Sequence, residues 1–192
     1  MRKGDAVNDL RFVNILETDR VIREKVRWWR NKQDVRSCML SQSIISQEEH
    51  AQWLAGLSKG SVNKFWVIFW RDVPIGAAYL QNIDYDRSTS EWGFYIGEEA
   101  YKGRGVGKKI LFNLLEKVFD KMAIEFLFTK VLSTNGSAIH LYKKFYFSEK
   151  SRLLLEDGRE VIIFEFARSA WLEVKDELEK ICGEMVNKSV EQ

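Results

Sequence analysis

Apolar and polar positions along the chain fall into helix-like and strand-like stretches, and their order sets the fold. A short mixed run over 10–16 reads as a strand, closed by Thr18 and Asp19, whose side-chain oxygens are helix-start signals. Over 20–31, Val21, Ile22, Val26 and Trp29 recur at helical spacing, which predicts a helix with Arg23, Arg27 and Arg30 on or beside its opposite face. Ser46-Gln47-Glu48-Glu49 is a capping box, and Trp53, Leu54 and Leu57 behind it predict a second amphipathic helix ending near Gly60. The uncharged segment 38–45 between the two is a loop of the kind that walls a binding site.

The pattern then tightens. Residues 65–70 are continuously apolar, 71–74 turn, and 75–83 supply the partner strand of an antiparallel hairpin; a turn over 84–88 leads to a strand over 90–96. Residues 106–119 are amphipathic, with Ile110, Leu111, Leu114, Leu115 and Val118 on one face. A buried strand over 124–132, a helix over 135–145 and a hairpin of 147–155 with 160–167 about Glu156-Asp157-Gly158 follow. The last helix, over 169–187, carries Trp171, Leu172, Val174, Leu178, Ile181, Cys182 and Met185. This β-α-α-β-β-β-α-β-α-β-β order makes an α/β (α+β) domain over 1–168, with a helical extension over 169–192 that packs on the core or on the second subunit of a homodimer.

Composition narrows the function. At 192 residues one domain is the default, and 30 basic against 28 acidic residues, a net charge of +2, leave no overall field for nucleic acid. Cys38 and Cys182 lie far apart without metal-ligand spacing, so reduced, packed thiols are expected and no metal. No apolar signal core follows Arg2 and Lys3, and no apolar run approaches the roughly 20 residues that span a bilayer, so the expectation is a cytoplasmic protein with no membrane association. Seven Trp and twelve Phe suit a wide core or a pocket for a large ligand.

The one concentrated basic feature is Lys102-Gly103-Arg104-Gly105-Val106-Gly107-Lys108-Lys109, which opens directly into the predicted helix. The first amides of a helix have no intrahelical partner and sit at its positive end, and glycines let a phosphate approach them closely. A dinucleotide fingerprint fails, because Lys108 stands where a third glycine is required; a Walker A loop fails, because Lys109 follows Lys108 in place of Ser or Thr. What remains, Lys102-x-x-Gly105-x-Gly107, resembles the R/Q-x-x-G-x-G/A pyrophosphate loop of the GCN5-related N-acetyltransferases. Asn135, Ala138, Tyr142, Lys144 and Phe147 are similar to the same family's N-x-x-A-x-x-x-Y-x-K-x-G-F segment, with Tyr146 in place of its glycine. That substitution predicts a differently bent helix exit.

The resemblance implies the family's mixed, mostly antiparallel sheet, with strands splayed at an acetyl-CoA site. Pantetheine would pair with the backbone of Tyr95 and Ile96, and the loop from Lys102 through Gly103, Arg104, Gly105, Val106 and Gly107 to Lys108 would hold the pyrophosphate. Asn135 would contact the cofactor or cap its helix, Lys144 would meet a CoA phosphate or solvent, and Tyr142 would protonate the leaving thiolate. The base stays open. Lys130 stands where several relatives have a glutamate, which leaves Glu91, a water chain or His50; His140 faces away from Tyr142. Trp28-Trp29-Arg30-Asn31, Met39 and 44–50 resemble the nucleotide-sugar N-acetyltransferases of pseudaminic acid biosynthesis, which implies a UDP-linked 4-amino-4,6-dideoxy-N-acetyl-altrosamine as acceptor, with Arg30, Trp29 and His50 on its binding side. A protein N-terminal or ribosomal-protein acetyltransferase and a non-catalytic acyl-CoA sensor are the alternatives. A polyamine acceptor would call for an acidic pocket, which the arginines of the first helix oppose.

Overall fold

In the computed structural model, which describes residues 9–59 and 62–183, the apolar runs become strands β1 (Leu10–Asn14), β2 (Lys64–Trp70), β3 (Val73–Asp84), β4 (Thr89–Ile96), β5 (Phe126–Leu132), β6 (Ser148–Leu154) and β7 (Glu160–Ala167). They form one sheet in the order β1-β2-β3-β4-β5-β7-β6, and every neighbouring pair is antiparallel except β4 with β5. The helices are α1 (Arg20–Asn31), α2 (Gln33–Arg36), α3 (Gln47–Ser58), α4 (Val106–Lys121), α5 (Gly136–Lys144) and α6 (Arg168–Gly183). Gly60 and residues 184–187 of the predicted last helix, Met185 among them, lie outside the described residues.

The continuous apolar run of β2 has a physical reason: both faces of the sheet are covered. Trp66 and Ile68 join α4, α5 and α6 in one core, with Ile110, Leu114, Phe145 and Trp171, while Val67 and Phe69 join Val26 and Trp29 of α1 and Val35 of α2 in the other. In α6, Trp171 is fully buried between the rings of Phe112 and Phe119, and its indole N–H donates to Asp120 Oδ1 at 3.0 Å. Strand β6 at the sheet edge is exposed along its whole length. Among the described residues no helix is long and apolar enough to cross a membrane.

Several expectations are corrected. The first strand stops at Asn14, whose side chain accepts the Leu16 N–H and starts a 3-10 turn, Ile15–Glu17. Helix α2 has no precedent in the periodicity, being a single short turn. In α1 the apolar stripe is centred on Ile22, Val26 and Trp29; at about 100° per residue Val21 falls to one side, and it is 76% exposed. The arginines fall to the other side, which is not solvent: Arg23 donates to the carbonyls of Ile15 and Leu16, while Arg27 and Arg30 face the 38–45 loop. The exit of α5 is not bent. Tyr146 itself takes the left-handed conformation at φ 63°, the Phe147 N–H reaches back to Tyr142 O, and the Tyr146 hydroxyl donates to Glu177 on α6 at 2.7 Å. That tie helps hold a conformation a tyrosine seldom adopts.

Candidate active site

Strands β4 and β5 keep register over three pairs only, Thr89↔Phe126, Ser90↔Leu127 and Glu91↔Phe128. Beyond Glu91 they part. β4 runs on to Ile96 bonded to β3, and β5 runs on to Leu132 bonded to β7, so each presents an unladdered edge to the gap. That gap is a slot of about 410 Å³, lined by Phe94, Tyr95, Ile96, Gly107, Thr129 and Tyr142 among others.

At the mouth of the slot the glycine-spaced loop does what its spacing predicts. Gly103 and Gly105 have φ of 70° and 77°, and Gly105 caps α4 with no side chain to satisfy its first amides. Lys102 N–H is taken by Glu99 O and Lys108 N–H by Gly105 O, each at 3.0 Å. Among the described residues the amides of 103–107 have no protein partner, whereas those of Lys102 and Lys108, at the two ends of the expected loop, are taken. The Lys102 ammonium is an internal strut, paired with Asp34 on α2 and with Glu99. Arg104 is exposed. Lys108 and Lys144 lie together, and burial and then the Lys144 charge push the Lys108 ammonium below its usual value. Two cations held close favour a doubly charged anion between them.

Trp29 supports this loop from below and is not a ligand contact. It has no exposed surface, it lines neither cavity, and a Cβ on Gly97 would stand 2.1 Å from its Cγ. Its indole donates to Glu98 Oε1 at 3.1 Å, and Lys25 pairs with the same carboxylate. The expected place of Trp29 on the acceptor-binding side is therefore corrected: the side chain is the floor on which Gly97 rests.

Asn135 caps α5, its side chain accepting the Ala138 N–H at 3.2 Å, and the residue lines the slot. Tyr142, two turns later, is buried among Trp92, Phe147 and Phe164 and reaches the slot from the α5 face. Burial pushes its phenol up, and a hydrogen bond with Thr129 works the other way, so it is a phenol at neutral pH.

On the opposite face of β4 lies a cavity of about 650 Å³ between α1, the 38–45 loop, α3 and the sheet. Arg30 reaches into it: Nη2 donates to Ser41 O, and Nη1 is buried with no hydrogen-bond partner among the described residues. Burial lowers its pKa, although a guanidinium stays charged. His50 is 3% exposed, among the described residues neither ring nitrogen has a hydrogen-bond partner although Nδ1 stands 4.0 Å from Glu24 Oε1, and burial holds it below its usual pKa, with Glu24 opposing. An ordinary surface histidine it is not. An aromatic ladder continues from it through Trp53 and Phe65 to Tyr79. At the floor, Glu91 pairs with Lys130 at 3.0 Å and accepts from Asn82 Nδ2 at 3.2 Å, Asn82 being turned towards it by a bulge in β3. Four basic side chains, Arg27, Arg30, Lys64 and Lys130, line the cavity against two acidic ones, Glu49 and Glu91. Both carboxylates are already engaged, Glu49 by its capping box.

Slot and cavity meet at Cys38, Met39, Tyr79, Tyr95 and Lys130. Cys38 is exposed there, against the expectation of a packed thiol, whereas Cys182 is buried and its thiol is pushed up to about 11 by burial. Tyr79 is the residue the sequence reading missed. Its only signal was alternation along β3, and its place depends on cross-strand register with Gly93.

The family model described as an acetyltransferase (GNAT) domain matches residues 23–156. The acetyltransferase PseH of Campylobacter jejuni is 25% identical over 139 residues, covering 72% of this chain and 85% of that one. Among solved structures, the spermidine N-acetyltransferase of Vibrio cholerae in complex with CoA and spermine superposes with a TM-score of 0.77 at 18% identity, over 85% of this chain and 98% of that one. Campylobacter jejuni PseH in complex with acetyl coenzyme A superposes with a TM-score of 0.63 at 21% identity, over 82% of this chain and 98% of that one.

Proposed function

The chain belongs to the acetyltransferase (GNAT) domain family, and on that premise we propose that it transfers acetyl to the 4-amino group of a UDP-linked 4-amino-4,6-dideoxy-N-acetyl-altrosamine, a step of pseudaminic acid biosynthesis. It is an N-acetyltransferase, and acetyl-CoA is its co-substrate. The observation that carries the choice of acceptor is the charge of the α1-side cavity. A buried, partnerless guanidinium nitrogen beside three further cations suits the diphosphate of a nucleotide-sugar and repels a polyamine. Likeness to PseH supports the same reading, and the aromatic ladder from His50 to Tyr79 offers flat apolar surface to a sugar or base.

The residues fit the co-substrate on the slot side. Acetyl-CoA supplies the thioester acyl group. The amides of 103–107 would hold its pyrophosphate, Lys108 and Lys144 a terminal phosphate, and the free edge of β4 at Tyr95 and Ile96 its amide-bearing arm. Tyr142 delivers a proton to the departing sulfur. Glu91 takes the role of base, and Lys130, paired with it at 3.0 Å, holds that carboxylate in position.

The test is thiol release from acetyl-CoA with the UDP-amino-sugar, spermidine and a peptide N-terminus offered separately. Turnover of the sugar alone is expected. Preferred turnover of spermidine or peptide removes the nucleotide-sugar reading, and CoA binding without turnover of any amine makes the chain a sensor.

A further inference from the structure

Residue alternation puts Glu91, Gly93 and Tyr95 of β4 on the α1-side face, where they neighbour Gln81, Tyr79 and Ala77 of β3 in register. Gly93 has no side chain, and the ring of Tyr79 lies across it: a Cβ there would stand 2.4 Å from the Tyr79 hydroxyl oxygen and 2.6 Å from Cζ. The phenol is thereby carried over β4 towards the edge that borders the slot. Its ring is fixed by parallel stacking on Phe65, with centroids 6.2 Å apart and planes inclined by 8°. No hydrogen bond to its hydroxyl is found among the described residues, and Tyr79 lines both the slot and the cavity.

At that junction the polar side chains are few. The Lys130 ammonium only donates, and a neutral amine about to attack a carbonyl needs an acceptor for an N–H. From this geometry we propose that Tyr79 is a catalytic residue: its hydroxyl accepts a hydrogen bond from the acceptor's amine and aims the nitrogen lone pair at the acyl carbon. As the N–C bond forms and the C–S bond breaks, the nitrogen's proton passes to the Glu91 carboxylate and the thiolate takes one from Tyr142; Tyr79 keeps its own. Burial and the Glu91 charge hold the Tyr79 phenol above its ordinary pKa, with Arg30 working the other way, so that proton stays in place at neutral pH. The inference rests on the family's acetyl transfer and not on which amine is the acceptor.

A ring covering a strand glycine also fills a hole in the sheet surface, a purely structural role. Tyr79→Phe separates the two, because it keeps the ring and removes the hydroxyl. Turnover is measured with the UDP-amino-sugar and with ethanolamine, a small amine that needs no nucleotide contacts, alongside acetyl-CoA affinity by calorimetry and Tm. The expected result is a kcat lower by roughly 10- to 100-fold with either amine, with acetyl-CoA affinity and Tm unchanged. Gly93→Ala, which pushes the hydroxyl aside while leaving the tyrosine present, should reproduce the kcat loss; should that variant not fold, Tyr79→Phe decides alone. Unchanged kcat in Tyr79→Phe overturns the proposal. So does a loss seen with the nucleotide-sugar only, or one that tracks weakened acetyl-CoA binding. A wild-type enzyme that acetylates ethanolamine but not the sugar would sink the acceptor reading above while leaving Tyr79 decidable.

Discussion

The two faces of β4 are built on different principles. On the slot side the contacts are main-chain ones: unladdered strand edges and five loop amides whose exposure depends on glycines and on a splay, hardly at all on side-chain identity. On the α1 side the cavity is made of side chains drawn from α1, α3, the 38–45 loop and four strands, some held by partners on other elements, as Arg30 is by Ser41 and Glu91 by Lys130. A backbone site suits a ligand common to a whole family. A side-chain site changes whenever one element does, which is where acceptor choice resides.

Tyr142→Phe gives the largest effect expected and draws the line between the faces most sharply: kcat should fall by about 10²- to 10⁴-fold, while acetyl-CoA binding, which the amides carry, stays near wild type in calorimetry. Equal losses in both would make Tyr142 a packing residue. Gly97→Ala attacks the backbone side without touching a ligand contact. Its Cβ has no room against Trp29, so a loss of about 1–3 kcal/mol in a denaturant melt is expected, together with weaker acetyl-CoA binding. Arg104→Ala, at an exposed side chain in the same loop, should cost less than about fivefold in that affinity; the reverse ranking would break the comparison. Arg30→Ala should raise the KM for the acceptor by about 10- to 100-fold and leave that for acetyl-CoA alone. The opposite split would move the acceptor to the other face.

The smallest effect is one of pH. Burial depresses the pKa of His50, so the unfolded chain binds its proton more readily than the native one. The stability this gives is complete above the unfolded value near 6.5, and it is lost as the pH falls through the lower native value. Wild-type Tm should therefore drop more steeply between pH 7 and pH 5 than that of His50→Gln, and parallel curves would show that His50 binds its proton equally well in the native and the unfolded chain.

How much of this was legible in the sequence follows the same division. Local signals were readable: Asp19 and Ser46 cap the helices they precede, and Gly103 and Gly105 sit at a positive-φ turn just before α4. The strands were legible as elements where they are long and apolar, as β2 is, whereas β6, exposed along its whole length, was legible only as one arm of a hairpin. The misreadings all concern placement across the fold. Trp29 is as aromatic as a ligand contact would be, and only the approach of Gly97 from another element makes it a floor. Tyr79 looked like any strand residue until its register with Gly93 was known. Tyr146 broke a local rule, and Glu177, on a helix thirty residues further on, is the partner that no local rule contains.

The three-pair seam between β4 and β5 has one more consequence. The sheet is in effect two panels, β1 to β4 and β5 to β7, riveted at one corner and open at the other. A molecule lying in that wedge and bonding to both borders stitches the panels together, so thermal resilience is coupled to supply. At a hundred times its dissociation constant such a ligand adds about 2.7 kcal/mol, and the enzyme in a cell depleted of acetyl-CoA would be the softer one.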